Sequence, residues 1–351
     1  MKSFLKKTSA YAVLAAMALF IVLMSMIRMY APAQPTIFPS IHCTGVNASF
    51  KCSKQHFAVL TKEVGIKAAI ADLKAEYAHS PEIVSDCHQL SHTIGNNAVD
   101  HYDGNIAKAF LDGDSFCWSG YYHGVVERAV SRIGEAQFIA HANDLCAAIP
   151  GKERYSFDYY NCVHGLGHGL MSVTENELFR SLSICDNLSG DWERKSCYGG
   201  VFMENIMVDN RNQHTNFLKK DDLMYPCDAV ESAYKEQCYL MQTSYALSKN
   251  GYNFRNAFEL CSKVDAEFRD TCAQSVGRDA SGNSVSNVAA TVAHCSLALD
   301  DNQETNCIVG AVKDFISYFH GGDQAQILCT AFPQRFQANC LATRTSYLRT
   351  L

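Results

Sequence analysis

Three stretches of the sequence each carry two side chains that could bind a metal ion, spaced four residues apart. These pairs are His88 with His92, His123 with Glu127, and His164 with His168. In an α-helix this spacing puts both side chains of a pair on one face, one turn apart. Imidazole and carboxylate groups are ligands that zinc, copper and iron accept. We therefore predict a metal site, provided that the three stretches form neighbouring helices.

Cysteines mark the elements that would position these side chains. The chain has 16 of them, and from Cys146 onward they fall into local pairs. The second cysteine of each pair recurs at 162, 197, 238, 272, 307 and 340, in steps of 33 to 41 residues. A period near 34 is typical of stacked helix hairpins. The sequence thus predicts an all-α solenoid of αα-hairpin repeats, each stapled by a disulfide.

The N-terminal residues indicate export, which allows disulfides to form. Three lysines precede an uncharged run of 18 residues, positions 10–27. We interpret residues 1–33 as a cytoplasmic tail and transmembrane signal-anchor, with the rest of the chain outside the cytoplasm. The alternative is a signal peptide cleaved after Ala33, which would give a secreted protein. Both interpretations place the cysteines in an oxidising compartment.

Local spacing favours eight disulfides over metal binding by the cysteines, because no C-x2-C occurs in the chain. The predicted pairs are Cys43–Cys52, Cys87–Cys117, Cys146–Cys162, Cys185–Cys197, Cys227–Cys238, Cys261–Cys272, Cys295–Cys307 and Cys329–Cys340. The pairing among the first four cysteines is the least determined by their spacing.

Residues that favour helix N-caps stand immediately before Cys87 and before most of the second cysteines: Asp86, Asn161, Ser196, Thr271, Asn306 and Asn339. We expect each of these cysteines to open the second helix of its hairpin. The arrangement is similar to tetratricopeptide and Sel1-like repeats in period and hairpin form, but it lacks the tetratricopeptide signature residues. Residues 34–86 are predicted to form an N-terminal cap, and residues 87–351 the disulfide-bridged repeat domain with its histidine-rich first units.

Register within the repeat predicts which ligands converge. His123 and His168 each lie six residues after a second cysteine, Met203 takes the same position in the next unit, and Glu204 follows it. His88 and His92 are slightly out of phase with this row. Glycines at 165, 167 and 169 disfavour helix, and we interpret them as sites of close approach between helices.

Imidazole-rich ligation favours zinc or copper over iron as the divalent metal, in one or two ions. Glu127 and Glu204 are the candidate general bases of a metal-dependent enzyme, hydrolytic or oxidative. The chain lacks H-E-x-x-H, G-x-S-x-G and the glycine patterns of nucleotide-binding sites, which disfavours metalloprotease, serine hydrolase and nucleotide chemistry.

Two other functions fit the same sequence. In the first, the solenoid is a scaffold whose concave face binds a peptide or protein, and the histidines are structural. In the second, the protein stores or delivers metal without catalysis. A net charge of -6 and the absence of a basic stripe argue against nucleic acid as a partner. The membrane is the expected partner of the N-terminal helix.

Overall fold

The computed structural model describes residues 50–210, 215–282, 287–319 and 321–350. These ranges are predominantly α-helical and contain no β-strand, as predicted. Numbered in chain order, the helices are α1 (Phe50–Glu63), α2 (Ile66–Tyr77), α3 (Pro81–His101), α4 (Ile106–Leu111), α5 (Gly120–His141), α6 (Phe157–Val173), α7 (Leu178–Cys185), α8 (Asp191–Asn210), α9 (Ser232–Lys249), α10 (Phe254–Cys261), α11 (Arg269–Gly282), α12 (Val288–Cys295), α13 (Asp301–Phe319), α14 (Asp323–Ala331) and α15 (Gln334–Tyr347).

Cys87 and all of the second cysteines except Cys117 lie inside helices, and Cys117 lies before one. The predicted N-caps at Asp86, Asn161, Ser196, Thr271, Asn306 and Asn339 are therefore wrong. Helix α6 begins five residues before Cys162, and its N-cap is Ser156, whose side chain accepts a hydrogen bond from the Tyr159 amide. Asn161 lies inside α6 and donates to the Phe157 carbonyl. A polar side chain that bonds to the carbonyl four residues back is tolerated in a helix interior. A polar residue immediately before a cysteine therefore does not mark the start of a helix in this protein.

Long helices pack against one another in chain order: α3 on α5, α5 on α6, α6 on α8, and so on to α13 on α15. The short helices α7, α10 and α14 each pack against the long helix that follows them. Apolar residues that recur every three or four positions are buried at these contacts, for example Leu90 and Ile94 on α3. This order brings α3, α5, α6 and α8 side by side.

Four of the described disulfides join two helices, and the other three join a helix to a turn at Cys117, Cys146 or Cys227. The bonds within the described residues are Cys87–Cys117, Cys146–Cys162, Cys185–Cys197, Cys227–Cys238, Cys261–Cys272, Cys295–Cys307 and Cys329–Cys340. Three of the first cysteines end a short helix, as predicted, namely Cys185, Cys261 and Cys295. The predicted Cys43–Cys52 pair includes Cys43, which lies outside the described residues.

The predicted signal-anchor, residues 1–33, also lies outside the described residues. Within the part of the chain that the structure describes, no helix has the length and apolar character needed to span a bilayer. All the described residues belong to one compact unit, Ala48–Leu351. The N-terminal helices α1 and α2 pack against α3. The division into a cap at 34–86 and a repeat domain from 87 stays a prediction.

Candidate metal centre

Helix α3 supplies two of the candidate ligands. His88 and His92 are one turn apart, and their ring centroids lie 4.7 Å from each other. Their Nε2 atoms are 3.1 Å apart, and both side chains are buried. The sequence spacing had predicted this shared face.

Helices α5 and α6 supply one histidine each to the same point. The rings of His123 and His168 stack with centroids 4.6 Å apart. His123 lies 5.3 Å from His88, and His168 lies 5.1 Å from His92, measured between ring centroids. His123 and His168 therefore face the two histidines of α3, although the register of the repeat had left the part played by α3 open.

One nitrogen from each of His88, His92, His123 and His168 lies within 4.8 Å of the other three. We call these four residues the histidine cluster. Tetrahedral zinc with Zn–N bonds of 2.0–2.1 Å would place its ligand atoms about 3.3 Å apart. Separations of up to 4.8 Å in the cluster exceed this value, so the rings would have to move closer together to hold the ion. The four residues are buried, with 1% to 3% of their surface exposed.

The outer nitrogens of three rings are held by hydrogen bonds. Nδ1 of His92 lies 2.9 Å from Oε2 of Glu127, and Nδ1 of His168 lies 2.8 Å from Oε2 of Glu204. Nδ1 of His88 lies 2.8 Å from the Cys117 carbonyl oxygen. If Nδ1 donates in each bond, the Nε2 lone pairs of these rings face inward. Metal-binding histidines are commonly oriented in this way by carboxylates and carbonyls.

Unpartnered nitrogens also mark the cluster. Nε2 of His168 and both ring nitrogens of His123 are buried without a hydrogen-bond partner among the described residues. A buried polar group in this state costs about 1–3 kcal/mol relative to one that is satisfied. A metal ion is one partner that would satisfy such nitrogens, since it binds the imidazole lone pair directly.

Burial keeps His88 and His123 in their neutral form. It holds the pKa of His88 and of His123 well below the usual histidine value, and the neighbouring imidazoles lower both values further. Neutral imidazole is the form that binds a metal. The electrostatics of the cluster therefore favour ligation over a cluster of imidazolium ions.

Glycines allow the helices to approach each other closely at this point. A methyl group on Gly124 would overlap the backbone carbonyl of His92, and one on Gly200 would overlap that of His164. The same kind of overlap occurs between Gly277 and Cys307, on helices that carry no histidine cluster. Close approach through glycine is therefore found in several pairs of long helices. At the histidine cluster, this close approach brings short imidazole side chains from different helices together.

His164 and Glu127 are the two predicted ligands outside the four converging nitrogens, and His164 lies beside the cluster. Its ring centroid is 4.8 Å from that of His123, and its Nε2 atom is 3.4 Å from Sδ of Met203. Its Nδ1 atom is 3.3 Å from the hydroxyl of Tyr160. Glu127 and Glu204 contact Nδ1 atoms on the outer side of the rings. The contact between the Cys117 carbonyl and His88 could not be predicted from the sequence, because every residue has a backbone carbonyl.

Polar residues at the matching register of later helices form a separate network. Arg278 bonds to Asp279 and Ser244, and Asp314 accepts a hydrogen bond from Ser281. Burial raises the pKa of Asp314 to about 6. These contacts join polar residues on α9, α11 and α13.

Comparisons with known proteins leave the functional argument to this geometry. The arrangement of four converging imidazoles, two carboxylate partners and a carbonyl partner is specific enough to support a proposal by itself. No protein-family model matches the sequence, and neither the curated proteins nor the solved structures contain a chain that matches it.

Proposed function

We propose that this is an exported metalloprotein in which the histidine cluster binds one divalent transition-metal ion. The observation that carries the proposal is the set of inward-facing nitrogens, of which those on His123 and His168 have no hydrogen-bond partner among the described residues. A purely structural role would leave these buried nitrogens unsatisfied, at a cost in stability. One bound ion would satisfy Nε2 of His168 and one of the two ring nitrogens of His123.

The ligand type narrows the choice of metal. Four imidazoles suit zinc, copper or iron, and the cysteines in the described region are bonded in disulfides and so offer no thiolate. We place zinc and copper ahead of iron. The thioether of Met203 beside His164 adds a soft group close to the cluster, which supports copper as a serious candidate.

Enzymatic activity is the extension of this proposal that we favour over storage or delivery. A bound transition metal supplies Lewis-acid or redox chemistry. Glu127 and Glu204 are then residues that orient His92 and His168, since their carboxylate oxygens already contact those rings. Their predicted role as general bases would require these contacts to loosen during the reaction.

The proposal also includes the cellular location of the protein and a repeat architecture. Disulfide bonds suit a compartment outside the cytoplasm, with residues 1–33 as a signal-anchor or a cleaved signal peptide. The successive packing of long helices supports a repeat solenoid, in which matching positions of adjacent helices form continuous rows. The histidine cluster would occupy the first part of such a row.

Elemental analysis of the full-length protein, purified without chelators and after reloading with Zn²⁺ or Cu²⁺, tests metal binding. We expect close to one ion per chain, and loss of that ion in the double variant His123→Ala/His168→Ala. The matched control is His141→Ala, because His141 lies at the exposed end of α5. A double variant that keeps full metal content would refute the proposal. A folded wild type without metal would favour the scaffold function instead.

A further inference from the structure

Trp118 connects the histidine cluster to a helix that is distant in the chain. Its ring centroid lies 6.5 Å from that of His88. Its indole also packs directly on Gly282, the last residue of α11, where a methyl group would overlap the ring. Helices α6 to α10 separate α5 from α11 in sequence. Trp118 thus links the end of α11 to the histidine cluster.

Arg278 lies one helical turn before Gly282 and therefore on the same side of α11. Its Nη2 atom donates to Ser244 Oγ at 2.6 Å and to Asp279 Oδ1 at 2.8 Å. Among the described residues, its Nη1 atom hydrogen-bonds to Sδ of Met241 alone, at 2.7 Å. A thioether is a weak acceptor, so Nη1 retains the capacity for a strong charge-assisted hydrogen bond.

Asp279 holds the guanidinium in place. It is 4% exposed, and its carboxylate also accepts hydrogen bonds from Thr243 at 2.6 Å and from Ser244 at 2.7 Å. The Arg278 side chain is 25% exposed and Trp118 is 37% exposed, whereas the histidines behind them are buried. The guanidinium is thus partly exposed, on the side of α11 where Gly282 contacts Trp118, and its hydrogen bonds fix its orientation before any ligand arrives.

We propose that Arg278 anchors a singly charged oxyanion, the carboxylate of a small molecule, on the side of the histidine cluster that Trp118 borders. The inference rests on the proposed metal site and names the ligand class for it. Asp279 and Asp314 lie near the guanidinium, and their negative charge disfavours a doubly charged phosphate. A carboxylate held at Nη1 would leave the rest of the molecule free to reach the metal.

Trp118 fluorescence in the full-length protein tests this inference. The chain has two tryptophans, and Trp192→Phe removes the other one, which stacks on Tyr155 and Tyr159. Acetate and inorganic phosphate are the probes, titrated into protein loaded with zinc, which has no redox chemistry. We expect acetate to give a saturable change in fluorescence, and phosphate to give a weaker response.

The variants assign that response to Arg278. Loss of one charge-assisted hydrogen bond, worth about 1.5–3 kcal/mol, should weaken acetate binding by about 10- to 100-fold in Arg278→Met. Arg278→Met/Asp279→Asn removes both charges of the pair, so the test survives if the single variant is unstable. Lys313→Met is the matched control, because Lys313 has the same register one unit later and its Nζ bonds to Gln274.

Wild-type acetate affinity in both Arg278 variants would overturn the inference, as would the absence of any saturable response to acetate. Tighter binding of phosphate than of acetate would overturn the ligand class. Zinc content of the same samples separates the two proposals, since Arg278→Met should leave it unchanged. A wild type that binds acetate through Arg278 but holds no zinc would contradict the metal site alone.

Discussion

Nδ1 of His92 lies 2.9 Å from Oε2 of Glu127, across the interface between α3 and α5. The same relationship recurs between His168 and Glu204, at 2.8 Å, across the interface between α6 and α8. In both cases the carboxylate is on the later helix, and the imidazole that it orients has its other nitrogen at the centre of the histidine cluster. Two carboxylates on different helices thus support histidines of one candidate site in the same way.

Removing the charge of these supports should weaken metal binding without removing a ligand. We expect Glu127→Gln and Glu204→Gln each to lower metal affinity by about 10- to 100-fold, the usual effect of losing a carboxylate partner of a ligating histidine. Competition with a chelator of known affinity measures the change. Glu135→Gln is the matched control, since Glu135 is also on α5 but pairs with Arg180. Unchanged affinity in both variants would contradict the orienting role.

Replacing His123 should cost the metal-free protein little. Both of its ring nitrogens lack partners among the described residues, so His123→Leu should leave the free energy of unfolding within about 1 kcal/mol of wild type or raise it. The same variant should lose the stabilisation that added metal gives to wild type. Chemical denaturation in chelator and in excess zinc measures both effects.

His56→Leu is the control for that experiment. His56 is also buried, but its Nε2 atom lies 2.7 Å from Asp72. Its loss leaves that carboxylate without this partner and should destabilise the protein in either condition. Equal destabilisation by His123→Leu and His56→Leu in chelator would argue against a site kept for a metal.

Glycine substitutions separate helix packing from metal binding. Gly124→Ala and Gly310→Ala each put a methyl group against a neighbouring carbonyl, that of His92 and that of Gln274 respectively. Overpacking of this kind costs about 1–3 kcal/mol, so both variants should unfold more easily. Only Gly124→Ala should also weaken metal binding, because it displaces α3 from α5. Equal metal affinity in the two variants would show that the cluster tolerates this displacement.

Asp314 gives a pH-dependent contribution to stability. Burial raises its folded-state pKa to about 6, above the ordinary value of 3.8. The folded state therefore binds the proton more tightly, and stability is lost as the pH rises toward and through 6. Asp314→Asn should stabilise the protein at pH 7.5 and have much less effect at pH 4.5. Denaturant midpoints at the two pH values measure this, and an equal effect at both would contradict the assignment.

Much of the fold could be predicted from cysteine spacing. Each second cysteine marks a helix hairpin, and six of the predicted disulfides from Cys146 onward are present, together with Cys87–Cys117. The first residues of the helices could not be predicted in this way. Asn161, for example, is of a residue type that favours N-caps, but it lies inside a helix and bonds to a carbonyl there.

The candidate site was predictable in its residues but not in its roles. Spacing of four residues identified His88, His92, His123 and His168, since that period is imposed by the helix. It could not separate His164 from them, because the turn of α6 that faces the cluster depends on how the helices pack. Nor could it assign Glu127 to the outer side of His92, which depends on the approach of α5 to α3 at Gly124.

X-ray absorption spectroscopy of the metal-loaded full-length protein tests the central claim most directly. We predict a coordination shell of imidazole nitrogens at about 2.0–2.1 Å if the metal is zinc, without sulfur ligands. His123→Ala/His168→Ala should abolish this signal. A first shell made only of oxygen, a shell containing thiolate sulfur, or an unaltered spectrum in the double variant would contradict a metal ion held by histidines from three helices.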